Sequence, residues 1–154
     1  RLHLMIGQAL GGATTALMQG ILVLIISLFI GVNLPSISGI LIALLFMFLI
    51  GLSFTSVGIA FASRMEDTHG FQLIVNFVLF PVFFLSGALF PLDRIPDWLS
   101  FLTYIDPLTY GVEGIRYGML GVSQIAPLLS FTVLGGFLIA MLLLGSFLFN
   151  KIKI

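Results

Sequence analysis

The sequence has 154 residues, of which 60% are hydrophobic and 8% are charged, and its formal net charge is zero. Typical soluble domains contain about 25% charged residues, so a water-soluble fold of this size is excluded and most of the surface must face lipid. The zero net charge excludes a basic surface for nucleic acid, and the lack of cysteine excludes disulfides, thiolate metal sites and cysteine nucleophiles.

The first part of the chain predicts two membrane-spanning helices. Apart from His3, no residue from position 2 to position 63 can carry a charge. This stretch is too long for one span and sufficient for two, since a span needs roughly 20 apolar residues. A Gly, Asn and Pro turn at 31–36 divides it, which predicts span one at about 7–30 and span two at about 37–62. Each span must be helical, because a lipid-exposed backbone has to satisfy its own hydrogen bonds.

Two further spans are predicted after a short polar loop at 63–70. Span three is expected at about 71–90, with Pro81 inside it as the site of a helix kink. Span four is expected at about 126–150. This arrangement puts both termini and the polar loop on one side, with four Lys and Arg residues against two on the other side. The excess predicts that the termini are cytoplasmic.

Residues 91–121, between spans three and four, are the most informative segment. They contain the only Trp, all three Tyr and four of the six acidic residues. Trp and Tyr concentrate at membrane interfaces, where the ring meets lipid and the polar group meets water. Pro96 favours the start of one short helix, and Asp106 followed by Pro107 favours the start of a second, as N-cap and first helical residue. The segment therefore predicts a helical hairpin at about 91–118 that dips into the outer leaflet.

Two motifs lie between Phe71 and Gly121: PVFFLSGALFPLDRIPDWL and, after it, YIDPLTYGVEGIR. Together they resemble the C-terminal signature of the ABC-2 type transporter permeases, the membrane subunits of ATP-driven exporters of drugs, polysaccharides and lipid-linked molecules. The matching positions are Pro81, Ser86, Gly87, Phe90, Pro91, Pro96, Trp98, Asp106, Pro107, Leu108, Thr109, Tyr110 and Arg116. The family often has Asn where this chain has Asp106, and both residues cap helices.

The resemblance implies an all-α membrane protein and a set of partners. Permeases of this family have six spans, so the first two are expected to be missing from this sequence, with most of the cytoplasmic coupling helix that precedes the third. Residues 1–154 are then one transmembrane domain with an extracellular re-entrant hairpin and cytoplasmic termini. The expected partners are a cytoplasmic ABC ATPase that carries ATP and Mg, a second permease copy in a homo- or heterodimer, and the lipids of a prokaryotic cell membrane.

Several polar residues have two possible roles. Glu113 and Arg116 lie three residues apart on one helix face, where they either gate the outer end of a pathway or anchor the hairpin at the headgroups. Asp106 fits a helix cap better than a substrate ligand. Gln19 and Asn76 are uncharged polar residues within spans, and they either bond neighbouring helices or contact substrate.

Other patterns are assigned no site. Two glycine pairs, Gly7 with Gly11 and Gly114 with Gly118, match G-x-x-x-G, but with 17 glycines such matches arise by chance. His3 and His69 have no acidic or cysteine cluster beside them, so no metal site is predicted.

The chain has no predicted catalytic role. It lacks the phosphate-binding G-x-x-x-x-G-K-[ST] motif and the H-E-x-x-H and G-x-S-x-G motifs, so ATP hydrolysis is expected in a separate subunit. Ion-coupled carriers usually place charged residues inside the membrane, and the four predicted spans contain none. This pattern favours a permease driven by an external ATPase, with a membrane anchor or assembly module and a secondary carrier as the alternatives.

Overall fold

The computed structural model describes residues 2–31, 36–63, 65, 67–90, 92 and 95–150. Over these residues every regular element except one short helical turn is an α-helix, and no strand occurs. The six helices are α1 (Leu2–Phe29), α2 (Ile37–Ala62), α3 (Thr68–Leu85), α4 (Asp97–Ile105), α5 (Pro107–Leu120) and α6 (Pro127–Asn150). The prediction of an all-helical chain is confirmed.

Three of the described helices are long and apolar enough to cross a membrane. They correspond to Met5–Ser27, Ile37–Ala62 and Pro127–Leu148, and they coincide with predicted spans one, two and four to within a few residues. The third predicted span is represented by α3, which has 18 residues and contains Pro81. It ends at Leu85 rather than near residue 90, because the chain turns at Gly87, whose φ of 76° lies in the left-handed region.

Helix α2 lies at the centre of the bundle and contacts α1, α5 and α6. Small residues allow α1 to approach it closely: a Cβ atom added at Gly51 would lie 3.0 Å from the Cα of Ala13. Phenylalanine pairs fill the space between α2 and α6, with ring centroids 6.5 Å apart for Phe46 and Phe131. Membrane helices usually pack through small residues that allow close approach. Lipid tails are as apolar as the side chains, so no hydrophobic effect drives the helices together and van der Waals contact between them must do so.

The helix starts carry side-chain caps that the sequence encodes directly. The hydroxyl of Ser36 accepts a hydrogen bond from the N–H of Gly39 at 3.2 Å at the start of α2. The carboxylate of Asp67 accepts from the N–H groups of His69 and Gly70 at 3.1 and 3.2 Å at the start of α3. Each cap satisfies N–H groups that have no partner within the helix.

Helices α3 and α4 lie at the edge of the bundle and make few contacts with it. None of the described side chains of α3 is fully buried. On α4, the side chains of Trp98, Phe101, Leu102 and Ile105 form an exposed apolar stripe, with Trp98 76% exposed. Their spacing of three and four residues places them on one helix face, which turns away from the rest of the chain.

Candidate functional site: the hairpin and its buried ion pair

The corner between α4 and α5 is closed by three side chains of the predicted motif. Asp106 is the N-cap of α5, and its Oδ1 accepts a hydrogen bond from the N–H of Leu108 at 2.9 Å. The hydroxyl of Thr109 donates to the carbonyl oxygen of Thr103, and that of Tyr110 to the carbonyl oxygen of Tyr104, each at 2.8 Å. The first turn of α5 thus satisfies carbonyl groups at the end of α4 that would otherwise lack partners.

The carboxyl group of Asp106 lies in a dry environment. The residue is 5% exposed, and within the described part of the chain its Oδ2 has no hydrogen-bond partner. Burial raises the pKa of Asp106 to about 6, and the hydrogen bond from Leu108 acts in the opposite direction. The Thr109 hydroxyl would also lower this pKa if it donated to the carboxylate, but its proton is directed at the Thr103 carbonyl.

A row of glycines on α5 lies against α2. A Cβ atom added at Gly118 would lie 2.6 Å from the carbonyl oxygen of Gly39 and 2.8 Å from the nitrogen of Ala43. A Cβ atom at Gly114 would collide with the ring of Phe46. Gly114 and Gly118 therefore form a contact face, and assigning their G-x-x-x-G spacing to chance was wrong. By contrast, a Cβ atom at Gly7 or Gly11 would have no neighbour within 4 Å.

Glu113 and Arg116 form an ion pair inside the bundle. Glu113 is fully buried and the side chain of Arg116 is 22% exposed. Nη1 of Arg116 contacts Oε1 of Glu113, and Nη2 donates to the carbonyl oxygen of Gly87 at 2.7 Å. The second carboxylate oxygen of Glu113 accepts from the N–H of Gln124 and, at 3.4 Å, from that of Ile125.

This cluster joins three parts of the fold. It links the turn after α3, the middle of α5 and the segment that leads into α6 through one carboxylate and one guanidinium group. A buried charge is tolerated when it is paired and its remaining hydrogen-bonding capacity is used, and the contacts of Glu113 meet both conditions. Sequence spacing placed Glu113 and Arg116 on one face. The backbone partners at Gly87 and Gln124 were missed, because a carbonyl or N–H group leaves no signal in the sequence.

The remaining predicted residues are dispersed. Pro81 lies within α3, Pro96 precedes α4, and Trp98 is on the exposed stripe of α4. Pro107 is at the start of α5, whereas the predicted Pro91 lies outside the described residues. Gln19 lies on α1, where its side chain is exposed.

Asn76 lies in a groove of about 350 Å³ between α2, α3 and α5. The groove is almost entirely apolar and is lined by Ile50, Phe54, Val75, Leu79, Phe80, Val82, Phe83 and Leu108 in addition to Asn76. Asn76 is the only residue of this lining with a polar side chain. The groove therefore suits an apolar group that offers one hydrogen-bonding atom, in keeping with the pattern of small-molecule sites.

The described residues contain no group of three His, Cys, Asp or Glu side chains that could hold a metal ion. His3 and His69 are both exposed, at the starts of α1 and α3. Around the corner between α4 and α5 and along α5, the described side chains form hydrogen bonds and one ion pair.

Comparisons with known proteins agree with these features. The family model of the ABC-2 type transporter matches residues 1–120. Inner membrane transport permease YadH of Escherichia coli K12 is 33% identical over 141 residues, which are 90% of this chain and 53% of YadH. The protein ycf38 of Cyanophora paradoxa, named as a transport permease, is 31% identical over 118 residues, or 76% of this chain and 40% of ycf38. Nodulation protein J of Sinorhizobium fredii is 30% identical over 118 residues, or 76% of this chain and 44% of that protein.

No solved structure gives a significant match to this chain. The chain spans about half the length, or less, of the curated relatives described above. The family model nevertheless covers well over half of the chain, and three described helices are apolar and long enough to span a membrane. This multi-pass membrane chain therefore belongs to the ABC-2 type transporter family of permeases.

Proposed function

We propose that this chain is the transmembrane part of an ATP-driven exporter, and that it forms part of the pathway by which an amphipathic, drug-like, lipid or glycan substrate leaves the cytoplasm. The observation that carries the proposal is the match to the ABC-2 type transporter family over residues 1–120. The absence of Asp, Glu, Lys and Arg from α1, α2, α3 and α6 supports it, because carriers driven by ion gradients usually need such residues inside the membrane.

The proposed topology has four spans, formed by α1, α2, α3 and α6, with cytoplasmic termini. Helix α3 is the shortest of the four, and its 18 residues reach about 27 Å at 1.5 Å per residue, which is close to the hydrocarbon thickness of about 30 Å. Helices α4 and α5 form a re-entrant hairpin at the outer face of a prokaryotic cell membrane. The exposed Trp98 and Tyr104 suit that interface.

The proposed assembly contains two permease copies, each docked on a cytoplasmic ABC ATPase that binds ATP and Mg. ATP binding and hydrolysis there bias the permeases between two arrangements, and substrate moves outward between them. The permease itself has no catalytic group in this scheme. The hairpin shapes the outer exit, and the rigid joint between α4 and α5 supports this role because it holds α4 in a defined direction.

The test uses the complete permease, co-expressed and purified with a candidate ABC ATPase subunit from the same organism and reconstituted in lipid vesicles. We expect ATP hydrolysis to be stimulated by transported amphiphiles, with a fluorescent short-chain phospholipid and an amphipathic cationic dye as probes. Replacing Trp98 with Ala, or Leu102 with Pro to break α4, should reduce export while the ATPase still co-purifies. Normal export by both variants would contradict the role of the hairpin.

The same experiment separates the alternatives. A membrane anchor or assembly module predicts no substrate-stimulated hydrolysis and tolerance of changes throughout 91–118. A secondary carrier predicts transport of the probes without ATP and inhibition when the ion gradient is removed. Transport of the probes that continues without ATP would therefore reject the exporter, whichever substrate is carried.

A further inference from the structure

Helix α5 runs antiparallel to α2 and packs against it from the start of α2 to its middle. The end of α5 lies beside the start of α2, where a Cβ atom added at Gly118 would touch the backbone of Gly39. Two turns earlier on α5, a Cβ atom added at Gly111 would lie 2.5 Å from Cγ1 of Ile50. Ile50 is at the middle of α2, which extends over Ile37–Ala62 and is long enough to span the membrane.

The corner between α4 and α5 lies farther along α2 than Ile50. Asp106 precedes Gly111 by five residues, or about 7 Å at the helical rise, and Leu108 lines one groove together with Phe54. Helix α2 has 26 residues, or about 39 Å, so a hydrocarbon layer of about 30 Å has its centre within about 5 Å of Ile50. Wherever along α2 this layer lies, Asp106 is inside it and beyond its centre, measured from the start of α2.

The carboxyl group at this depth has one oxygen without a partner. Oδ1 of Asp106 accepts a hydrogen bond from the N–H of Leu108, whereas Oδ2 has no hydrogen-bond partner among the described residues. This oxygen is enclosed by atoms of the chain itself. Its isolation therefore does not depend on whether a second permease copy or a further segment of the polypeptide covers the outside of the bundle.

No counter-charge acts on this carboxyl group within the described part of the chain. The influences on its pKa are burial, the N–H of Leu108 and the hydroxyl of Thr109. Helices α1, α2, α3 and α6 contain no Asp, Glu, Lys or Arg, and the two histidines are at the starts of α1 and α3. The titratable residues of α4 and α5, besides the corner itself, are Asp97, Tyr104, Tyr110, Glu113, Arg116 and Tyr117. Of these, the one described cation, Arg116, is paired with Glu113.

From its depth and its enclosure together we propose that Asp106 is a proton-binding site in the membrane interior, and that the hairpin packs against α2 with this proton bound. An ionised carboxylate in an apolar interior carries a large desolvation penalty unless it is paired, and an unpaired group becomes neutral instead. Enclosure by the chain raises the pKa of Asp106 to about 6, and lipid in place of water around the hairpin raises it further. The inference rests on α2 spanning the membrane and is independent of the proposed exporter role.

The first test measures the depth of the corner in the complete permease, held in lipid nanodiscs without the ATPase. The chain contains no cysteine, so a spin label is attached at Ile105→Cys after any cysteine elsewhere in the polypeptide has been replaced. Collisions of the label with oxygen, which concentrates in the hydrocarbon, are compared with collisions with a water-soluble nickel chelate. Leu128→Cys, near the start of α6, is the matched control, and both positions are exposed in this chain. We expect the label at 105 to be deep and the label at 128 to be shallow. Equal depths would overturn the proposal.

The second test measures protonation by infrared difference spectroscopy at neutral pH, between the unaltered permease and Asp106→Asn, which keeps a capping side chain. We expect the variant to lose the carbonyl stretch of a protonated carboxylic acid. Asp67→Asn is the matched control, because Asp67 also caps a helix but is exposed, and it should lose carboxylate bands only. Loss of carboxylate bands from Asp106→Asn would overturn the proposal. If that variant does not fold, Asp106→Thr replaces it, since threonine also caps helices.

Discussion

Replacing Gly118 with Ala tests how closely α5 must approach α2. The added Cβ atom would lie 2.6 Å from the carbonyl oxygen of Gly39 and 2.8 Å from the nitrogen of Ala43, whereas ordinary contacts of this kind begin near 3.4 Å. The two helices would have to separate by the better part of an ångström. Both obstructing atoms belong to backbone, so no side-chain rotation relieves the collision.

Overpacking of this kind costs about 1–3 kcal/mol, and we expect the upper part of that range because the contact is between backbones. The measurement is unfolding of the purified permease in mixed micelles by titration with a denaturing detergent, followed by circular dichroism. Gly136→Ala is the matched control: a Cβ atom there has no neighbour within 4 Å, and the gain in helix propensity makes it neutral or stabilising by up to about 1 kcal/mol. Equal stability of the Gly118→Ala and Gly136→Ala proteins would refute the reasoning.

Three further predictions concern the charges and caps. Glu113→Gln should destabilise the protein by about 3–5 kcal/mol, because it removes the buried carboxylate that pairs with Arg116. The double variant with Arg116→Gln should lose less stability than the two single variants together, and a double-mutant cycle in detergent measures this difference. Burial raises the pKa of Asp106 from 3.8 to about 6, so the folded state binds more protons than the unfolded state between these pH values. Thermal stability should therefore fall as pH rises from about 4 to about 6. Asp106→Asn keeps the cap and should flatten this pH profile, and an unchanged slope in that variant would contradict this origin. Ser36→Ala should cost about 1 kcal/mol in the same unfolding measurement through loss of the α2 cap. Ser38→Ala removes only the bond between the Ser38 and Ser36 hydroxyls and leaves the cap bond to Gly39 in place, so it should cost less, and equal costs would contradict the role of the cap.

The sequence was sufficient to predict where the helices lie. Turn residues divide the long uncharged stretches into separate helices, and α2 begins at Ile37, the predicted residue. The cap and proline at Asp106 and Pro107 likewise predicted the start of α5. These signals are local, because capping and chain reversal depend on a few adjacent residues.

The contacts between helices were less accessible to sequence reasoning. Gly114 and Gly118 match a pattern that occurs often in a glycine-rich chain, and only the structure shows that Gly39 and Ala43 of α2 lie opposite Gly118. The end of α3 at Leu85 was also missed, because the apolar sequence continues past the turn. Hydropathy reports which residues tolerate lipid and carries no information on where the backbone reverses.

The hydrogen bonds that Glu113 accepts from Gln124 and Ile125 have a consequence for the segment at 121–126. Connecting segments usually tolerate insertions, but here α5 ends at Gly121, with φ of 71°, and the chain has only a few residues in which to present those N–H groups to a carboxylate inside the bundle. One extra residue would move the donors out of reach and leave an uncompensated acceptor in the interior. The length of this segment is therefore constrained. Relatives that keep an acidic residue at the position of Glu113 should also keep the number of residues between it and the start of α6.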